Sequence, residues 1–338
     1  MQPQRLRALL DRFPSATVLV VGDFFLDKYL DLDPRLSEPS LETGLDAYQV
    51  VGVRTYPGAA GTVVNNLRAL EVNVRVLGVI GEDGEGDDLL RGLGRIGVDG
   101  ASLIRTPTRF TPTYLKPMLA AAAGPARELN RLDTKNRAPL PAELEARVLA
   151  GLDALLPAVQ AVVISDQVSE RNCGLITDRV RAALSAQARA WPGVHFAADS
   201  RERIAEFLDV IVKPNAREAA RATGQTDLLA AGQALFSRTG RAAIVTDGEQ
   251  GAYVFDAHGR ERVPTARVAG PIDVVGAGDS VMAGLTSALC AGATLAEAAL
   301  VGNLTASITI QQLGVTGTAS RAQVLARLEE IHAQIVQS

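Results

Sequence analysis

The stretch Thr17-Val18-Leu19-Val20-Val21-Gly22-Asp23 decides the fold class of this chain. A short, mostly β-branched run that stops at glycine and an acidic residue is typical of a strand buried on both faces of a sheet. Similar runs follow at 74–80, 161–165, 194–198, 210–212 and 242–246. Segments with the apolar spacing of helices lie among them or follow them, at 62–70, 86–96, 142–156, 172–190, 216–222, 227–239, 279–291, 295–312 and 320–335. This order predicts a doubly wound α/β fold, a mostly parallel sheet flanked by helices.

Two segments interrupt the alternation and predict a second, smaller sheet. Residues 31–56 are polar and end in the alternating run 48–54, and residues 102–133 contain strand-like runs on either side of a small-residue turn at 121–124. We interpret both as hairpins inserted into a single domain, 1–338. Such a sheet serves either as a lid that excludes water or as an interface, because an exposed sheet seeks a partner.

Composition limits the classes of partner. The 338 residues are 47% hydrophobic and 21% charged, which supplies a sizeable core. Aromatic residues make up 4% and the net charge is −4, so neither the stacking platform nor the basic surface of a nucleic-acid binder is present. No apolar run reaches the roughly 20 residues of a membrane span, and Met1–Arg5 has no apolar signal core. We expect a cytoplasmic protein with no nucleic-acid or membrane partner.

The stretch Asp273-Val274-Val275-Gly276-Ala277-Gly278-Asp279 carries the strongest chemical signal. Backbone with little side chain at the start of a helix lets amide groups and the helix dipole face an anion. A carboxylate beside that site is well placed to take a proton from a hydroxyl group that attacks a phosphate. The alternative is a tight strand-to-helix turn in which Asp279 only complements the dipole.

Further polar residues follow the predicted strands, where doubly wound sheets bind their ligands. Asp23 and Asp27 are candidates to hold sugar hydroxyls, or else belong to a turn and a helix cap. The small-residue turn 57–66 lets a ligand approach the backbone, or else allows close helix–sheet packing.

A third group of polar residues points to a nucleotide. Asn215 and Glu218 lie three residues apart at the start of a helix. They can orient waters on a Mg²⁺ ion that bridges phosphates, or form a capping box. Thr246, Gly248 and Asn303 are candidates to line an adenine or ribose pocket.

Taken in order, these segments resemble the PfkB/ribokinase family of carbohydrate and nucleoside kinases over residues 16–330. The resemblance implies that Asp279 is the general base and that the amides of Gly276, Ala277 and Gly278 form the anion hole. It implies that ATP and Mg²⁺ bind at Asn215 and Glu218, and that both side chains contact the Mg²⁺ ion through water molecules. It also implies sugar contacts at Gly58, Ala59, Thr62 and Asp27, and a monovalent cation such as K⁺ near Asp273 and the 314–318 loop.

Finer similarity points to the bacterial heptose-7-phosphate kinase branch, through 21–29, 35–37, 130–133 and 163–166. It adds Asp23 and Asp166 as substrate residues, and Lys116 and Arg131 as ligands of a substrate phosphate. Three positions depart from the family pattern: Ala59 replaces a glycine, Thr62 an asparagine and Val274 a threonine. The methyl groups of Ala59 and Thr62 narrow the access of a sugar to the backbone of the turn 57–66. These two departures leave the identity of the acceptor sugar undecided.

The resulting hypothesis is ATP-dependent phosphorylation of a sugar or sugar phosphate hydroxyl by a homodimer that pairs through the lid. Two alternatives remain, a nucleoside kinase on the same fold and a non-catalytic regulatory protein that binds sugar phosphates.

Overall fold

The computed structural model describes residues 1–121, 124, 126–314 and 316–337. Its helices are α1 (Pro3–Leu10), α2 (Ala60–Ala69), α3 (Gly84–Arg95), α4 (Ala142–Leu155), α5 (Asp178–Ala190), α6 (Ala216–Thr223), α7 (Leu228–Thr239), α8 (Ala277–Cys290), α9 (Leu295–Thr309) and α10 (Arg321–Gln337). Its strands are β1 (Thr17–Gly22), β2 (Phe24–Leu32), β3 (Glu38–Pro39), β4 (Asp46–Ala47), β5 (Val50–Ala59), β6 (Asn73–Gly81), β7 (Leu103–Thr106), β8 (Thr113–Leu119), β9 (Arg127–Glu128), β10 (Leu132–Thr134), β11 (Ala161–Asp166), β12 (His195–Ser200), β13 (Ile211–Val212), β14 (Ala243–Thr246), β15 (Ala252–Asp256) and β16 (Gly259–Val263).

The main sheet has nine strands in the order β16-β15-β14-β13-β12-β11-β1-β6-β7. Every pairing from β14 to β7 is parallel, whereas β15 and β16 add an antiparallel edge. The predicted doubly wound, mostly parallel α/β class is therefore confirmed. The prediction missed this antiparallel edge: β16 carries the charged run Arg260-Glu261-Arg262, and β15 was not assigned although it is apolar over 252–255.

The first strand shows why the sheet lies between two helical layers. Val18 and Val20 pack into the core formed with α1, α2, α3, α8, α9 and α10, and Leu19 and Val21 pack into the core formed with α4 to α7. All four side chains are fully buried. Each contributes on the order of 2 kcal/mol by leaving water, so the strand is stable only with both layers in place.

The second sheet, hereafter the lid, has the order β10-β8-β2-β5, and β9 pairs with β8. Strand β2 is antiparallel to β5 and parallel to β8. The lid begins at Phe24, two residues after β1 ends, whereas the sequence predicted an insertion from residue 31 and a turn or helix cap before it. Charged residues interleave with apolar ones in Phe24–Leu32, which conceals the strand.

One strand within the predicted 102–133 insertion does not belong to the lid. Strand β7 (Leu103–Thr106) pairs with β6 at the edge of the main sheet, so only the later part of that segment enters the lid. Two residues of the predicted small-residue turn at 121–124, Ala122 and Ala123, lie outside the described residues.

The two faces of the lid differ in chemistry. Residues directly opposite each other on paired strands share a face. The inner face carries Asp27, Tyr29, Arg54, Tyr56, Tyr114 and Lys116, and the outer face carries Leu30, Val53, Leu115 and Leu132. Lys28, also on the outer face, pairs with Glu85 of α3 at 3.0 Å and ties the lid to the main body.

Among the described helices, none combines the length and the apolar character that crossing a membrane requires.

Candidate active site

Helix α8 begins at the glycine-rich stretch, and its start is shaped by Gly276. This residue has φ 77°, in the left-handed region. A Cβ there would lie 2.8 Å from Thr316 Cγ2 and 3.3 Å from Thr62 Cγ2, so only glycine fits the turn. Of the amides expected to bind an anion, that of Ala277 donates to Val274 O at 3.1 Å. In the described part of the chain, the backbone amide of Gly278 donates to no backbone carbonyl group. This amide is therefore free to bind an anion at the N-terminus of α8.

Asp279 lies in the first turn of α8 and is half-buried. Burial, followed by the negative charge of Asp199, raises the pKa of Asp279 to about 7, against the opposing effect of Lys213 and Arg201. A carboxylate with a pKa near neutrality is suited to accept a proton from a hydroxyl group at physiological pH.

Two charged residues that the sequence analysis missed lie beside this helix start. Lys213 is 2% exposed, and its Nζ lies 3.0 Å from Oδ2 of Asp199. A Cβ on Gly278 would lie 3.5 Å from that Nζ and 3.6 Å from that Oδ2. Burial acts to lower the pKa of Lys213, but the Asp199 and Glu218 carboxylates outweigh it and hold that pKa above its usual range. Asp199 directly follows the predicted strand 194–198, and Lys213 directly follows the predicted strand 210–212. Their positions at strand ends were the signal that could have identified them as site residues.

Asn215 and Glu218 form the capping box that was the alternative to a metal role. Asn215 Oδ1 accepts from the Glu218 amide at 2.9 Å, and Glu218 Oε2 accepts from the Asn215 amide at 2.8 Å. The box uses one oxygen of each side chain, so the second Glu218 oxygen is left for other partners. Burial, and then the charge of Asp199, raise the pKa of Glu218.

An open cavity of about 350 Å³ adjoins this capping box. Its lining residues are Arg201, Glu202, Asn215, Arg217, Glu218 and Arg221. Within the described residues no group of three or more His, Cys, Asp or Glu is arranged to hold a metal ion directly. Two acidic side chains, Glu202 and Glu218, lie among three arginines. This lining fits a hydrated Mg²⁺ that is bound mainly through phosphate oxygens, as Mg²⁺ commonly is.

The other predicted nucleotide residues are only partly brought together. Thr246 forms a β-bridge with Asn215, and its amide donates to Pro214 O at 3.0 Å. Gly248 follows two residues later with φ 50°. Asn303 is buried on α9, where its side-chain Nδ2 donates to Pro264 O at 3.0 Å and anchors the segment that leads to the glycine-rich stretch.

Asp27 and Lys116 face the site from the inner face of the lid. Lys116 Nζ lies 2.9 Å from Asp27 Oδ1 and donates to the Tyr29 hydroxyl at 3.1 Å. Gly58 makes room for Asp27, because a Cβ there would lie 2.6 Å from Asp27 Oδ2. The negative charge of Asp27 contributes to the raised pKa of Asp279, so the two carboxylates face the same space.

The turn between β5 and α2 contains both departures at the predicted sugar contacts. Ala59 has φ 52° and ψ −117°, a conformation that non-glycine residues rarely adopt. It packs against the cluster of Phe25, Val168 and Cys173. Thr62 is 4% exposed, and its methyl group lies toward Gly276. The predicted sugar turn and the glycine-rich stretch are therefore neighbours.

Asp23 is held by the fold. It is 6% exposed, and its carboxylate accepts from the amides of Leu175, Gln167 and Val168 at 2.6, 2.9 and 3.1 Å. Burial, with the charge of Asp166, raises the pKa of Asp23 to about 6. Its oxygens are occupied by backbone rather than open to the site.

Asp166 is equally enclosed. It is 1% exposed, and it accepts from Ser200 Oγ at 2.6 Å and from Arg203 Nη2 at 2.9 Å. Burial raises the pKa of Asp166 even though Arg203 opposes it. The structure thus places Asp166 in a buried ion pair with Arg203 at the end of β11.

Arg131 and Asp273 lie at the margins of the site. Arg131 stacks 4.2 Å from the centre of the Tyr114 ring and pairs with Asp133 at 2.6 Å, at the β10 side of the lid. Asp273 accepts from the Val275 amide at 3.0 Å, and its own amide donates to Ile310 O at 2.8 Å. Val315, within the 314–318 loop predicted to complete a cation site, lies outside the described residues.

Known proteins are similar to this chain in sequence and in fold. A family profile described as pfkB family carbohydrate kinase matches residues 18–322. The bifunctional protein HldE of Gluconacetobacter diazotrophicus is 34% identical over 325 residues, which cover 94% of this chain and 64% of that protein. The chain thus spans about two thirds of the length of this curated relative.

Two solved structures show the same fold. The ribokinase of Arabidopsis thaliana in complex with ribose and ATP is 19% identical, with a TM-score of 0.66 and coverage of 93% of this chain and 99% of its own. A ribokinase II from E. coli in complex with ATP and Mg²⁺ is 17% identical, with a TM-score of 0.67 and coverage of 93% and 99%. By its sequence, this chain belongs to the pfkB family of carbohydrate kinases, phosphotransferases with an alcohol group as acceptor.

Proposed function

We propose that this chain transfers the γ-phosphoryl group of ATP to a hydroxyl group of a sugar or sugar phosphate, with Asp279 as the general base. The observation that carries the proposal is the half-buried Asp279 at the start of α8, whose pKa is raised to about 7 and which lies next to the open amide of Gly278. The acceptor oxygen forms a bond to the γ-phosphorus while the bond to the bridging oxygen of ADP breaks. The hydroxyl proton passes to Asp279, and the amides at the helix start stabilise the charge on the phosphoryl oxygens.

The nucleotide belongs in the cavity beside the capping box. Arg201, Arg217 and Glu218 line it, as does Asn215, which forms a β-bridge with Thr246. Mg²⁺, when bound, neutralises phosphate charge there, and Asn215 and Glu218 orient its waters. On the basis of the family resemblance, we also propose that a monovalent cation binds near Asp273.

The acceptor is proposed to be a sugar or a sugar phosphate of the heptose 7-phosphate type. Resemblance to that branch and the HldE relative support it, as do Lys116 on β8 and Arg131, which directly precedes the neighbouring strand β10. ATP consumption measured over sugars, sugar phosphates and nucleosides identifies the class. Turnover with nucleosides alone would favour the nucleoside kinase, and tight sugar-phosphate binding without any turnover would favour a regulatory protein.

The replacement Asp279→Asn tests the mechanism. It removes the proton acceptor and keeps the shape, so kcat should fall by about 10²–10⁴-fold while MgATP affinity stays within about threefold. Steady-state kinetics and calorimetric titration with ATP measure the two quantities. The exposed Asp11 after α1 offers a matched control, since Asp11→Asn should change neither. Near-normal turnover by Asp279→Asn would refute the assignment.

We also propose a homodimer that pairs through the lid. On its outer face Val53 is 56% exposed and Leu132 is 63% exposed, beside the partly buried Leu30 and Leu115. A contiguous apolar face of this kind is typical of an interface, and a closed two-fold dimer is the commonest symmetric solution.

A further inference from the structure

We propose that Lys116 discriminates between acceptors by an exchange of partners, from the Asp27 carboxylate to a phosphate group that the acceptor carries. The inference rests on the proposed kinase function and extends it by a rule for the acceptor. A phosphate away from the reacting hydroxyl group draws Lys116 off Asp27 and so frees Asp27 for the sugar. An unphosphorylated sugar leaves Lys116 on Asp27 and binds poorly.

The ion pair occupies one of the two oxygens of Asp27. Lys116 Nζ lies 2.9 Å from Oδ1, and the two side chains are 12% and 13% exposed. The other oxygen, Oδ2, lies against Gly58 in the predicted sugar turn. Two neighbouring hydroxyl groups of a sugar can each donate to one carboxylate oxygen. A sugar that binds in this way must therefore compete with the ammonium group for Oδ1.

Charge makes this competition depend on the acceptor. Burial acts to lower the pKa of Lys116, but the Asp27 carboxylate outweighs it and holds that pKa above its usual range. A neutral sugar that displaced the ammonium group would leave a buried cation without a counter-charge, which is costly. A phosphate monoester carries a charge of roughly −1.5 to −2 at neutral pH and would supply that counter-charge.

A second position for Lys116 lies one step further along the lid, at Tyr29. This tyrosine is two residues beyond Asp27 on the same face of β2, about 7 Å along the strand. Lys116 on β8 and Arg54 on β5 lie opposite it on either side. Lys116 Nζ is 3.1 Å from the Tyr29 hydroxyl, and Cζ of Arg54 is 4.9 Å from the ring centre. A phosphate beside this hydroxyl group would meet two cations after a short movement of Lys116.

The test measures kcat/KM with pairs of acceptors that differ by one phosphate, mannose 6-phosphate with mannose and sedoheptulose 7-phosphate with sedoheptulose. The unmodified protein should prefer the phosphorylated member. We expect Lys116→Met to lose about 10²-fold with that member and to gain about tenfold with the unphosphorylated one, since Asp27 is then open to the sugar. A residue that only bound phosphate, or only supported the fold, would give no such gain.

Three further variants separate the exchange from other effects. Arg54 pairs with Asp31 rather than Asp27, so Arg54→Met should lose activity with the phosphorylated acceptors without a gain on the others. Lys135→Met changes a half-exposed lysine outside the proposed site and should alter neither. Lys116→Gln keeps an uncharged donor beside Asp27, so it covers the case in which Lys116→Met does not fold. It should show the pattern of Lys116→Met to a smaller extent.

Unchanged or reduced turnover of the unphosphorylated sugars in the folded Lys116 variants overturns the exchange while leaving the kinase assignment intact. A preference of the unmodified protein for the unphosphorylated members does the same. An unmodified protein that turns over no member of these pairs, and no sugar in the wider acceptor screen, overturns the kinase assignment and the exchange together.

Discussion

At the scale of the residue, the charged neighbours of Asp279 determine its pKa. It is enclosed by Asp199 from β12, Lys213 and Arg201 from the loops after β13 and β12, and Asp27 from the lid. The negative neighbours and burial favour the protonated form, whereas Lys213 and Arg201 favour the ionised form. The balance leaves the pKa near 7, so the carboxylate changes its charge within the physiological range.

The pH dependence of turnover follows from this balance. Because a raised pKa leaves Asp279 protonated below about pH 7, and only the ionised form accepts a proton, kcat/KM should fall about tenfold per pH unit on the acid side. Replacing Asp199 by Asn removes a negative neighbour and leaves Lys213 unopposed, which should move this acid limb to lower pH. Rate profiles between about pH 5 and 9 measure both. An acid limb that Asp199→Asn leaves in place would contradict the electrostatic explanation.

At the scale of the element, the junction of β5 and α2 stores strain. The φ and ψ of Ala59 belong to a region that only glycine enters freely, and the associated cost is of order 1–3 kcal/mol. The methyl group recovers part of it against Phe25 and Val168. The junction joins the lid to the helix that reaches Gly276, so its geometry is set by both sheets.

Replacing Ala59 by glycine should therefore stabilise the protein. Relief of strain exceeds the lost methyl contact and the greater freedom of the unfolded chain, so the free energy of unfolding should rise by about 1 kcal/mol. Urea denaturation measures it. The matched control is Ala186→Gly at an exposed position inside α5, which should cost about 1 kcal/mol because glycine is a poor helix former. Equal losses from both changes would show that Ala59 is not strained.

At the scale of the whole molecule, the lid has one polar face toward the site and one apolar face outward. Lys28 and Glu85 hold it against α3. We propose that a second copy of the chain covers the outer face of the lid. This contact would also limit how the lid moves over the acceptor.

Replacing Val53 by Asp tests the dimer. An aspartate within an apolar interface would be buried without a partner, so the variant should be monomeric. Light scattering of the variant and of the unmodified protein measures the mass. Leu208→Asp, at an exposed apolar position outside the lid, should leave the mass unchanged. A monomeric unmodified protein would disprove the proposal.

Local patterns were enough to predict much of this protein. Fully buried strands such as β1 need continuous β-branched runs, and helices need apolar residues at helical spacing, so both are visible in the order of residues. Lid strand β2 and edge strand β16 were missed because they mix charged and apolar residues without a fixed signal, whereas β15 was missed although residues 252–255 form an apolar run. The glycine-rich stretch was recognised because its backbone requires glycine locally, as Gly276 shows.

What the sequence by itself determined is the α/β class, the helix start at Gly276 and the acid beside it. Only the tertiary structure decided which polar residues share the site. Asp23 and Asp166 end strands as predicted, yet both are enclosed by backbone amides or by Arg203. Lys213 and Asp199 drew no attention, yet they lie against Gly278. The reason is that burial and charge pairing depend on contacts between residues far apart in the chain, which no local pattern records.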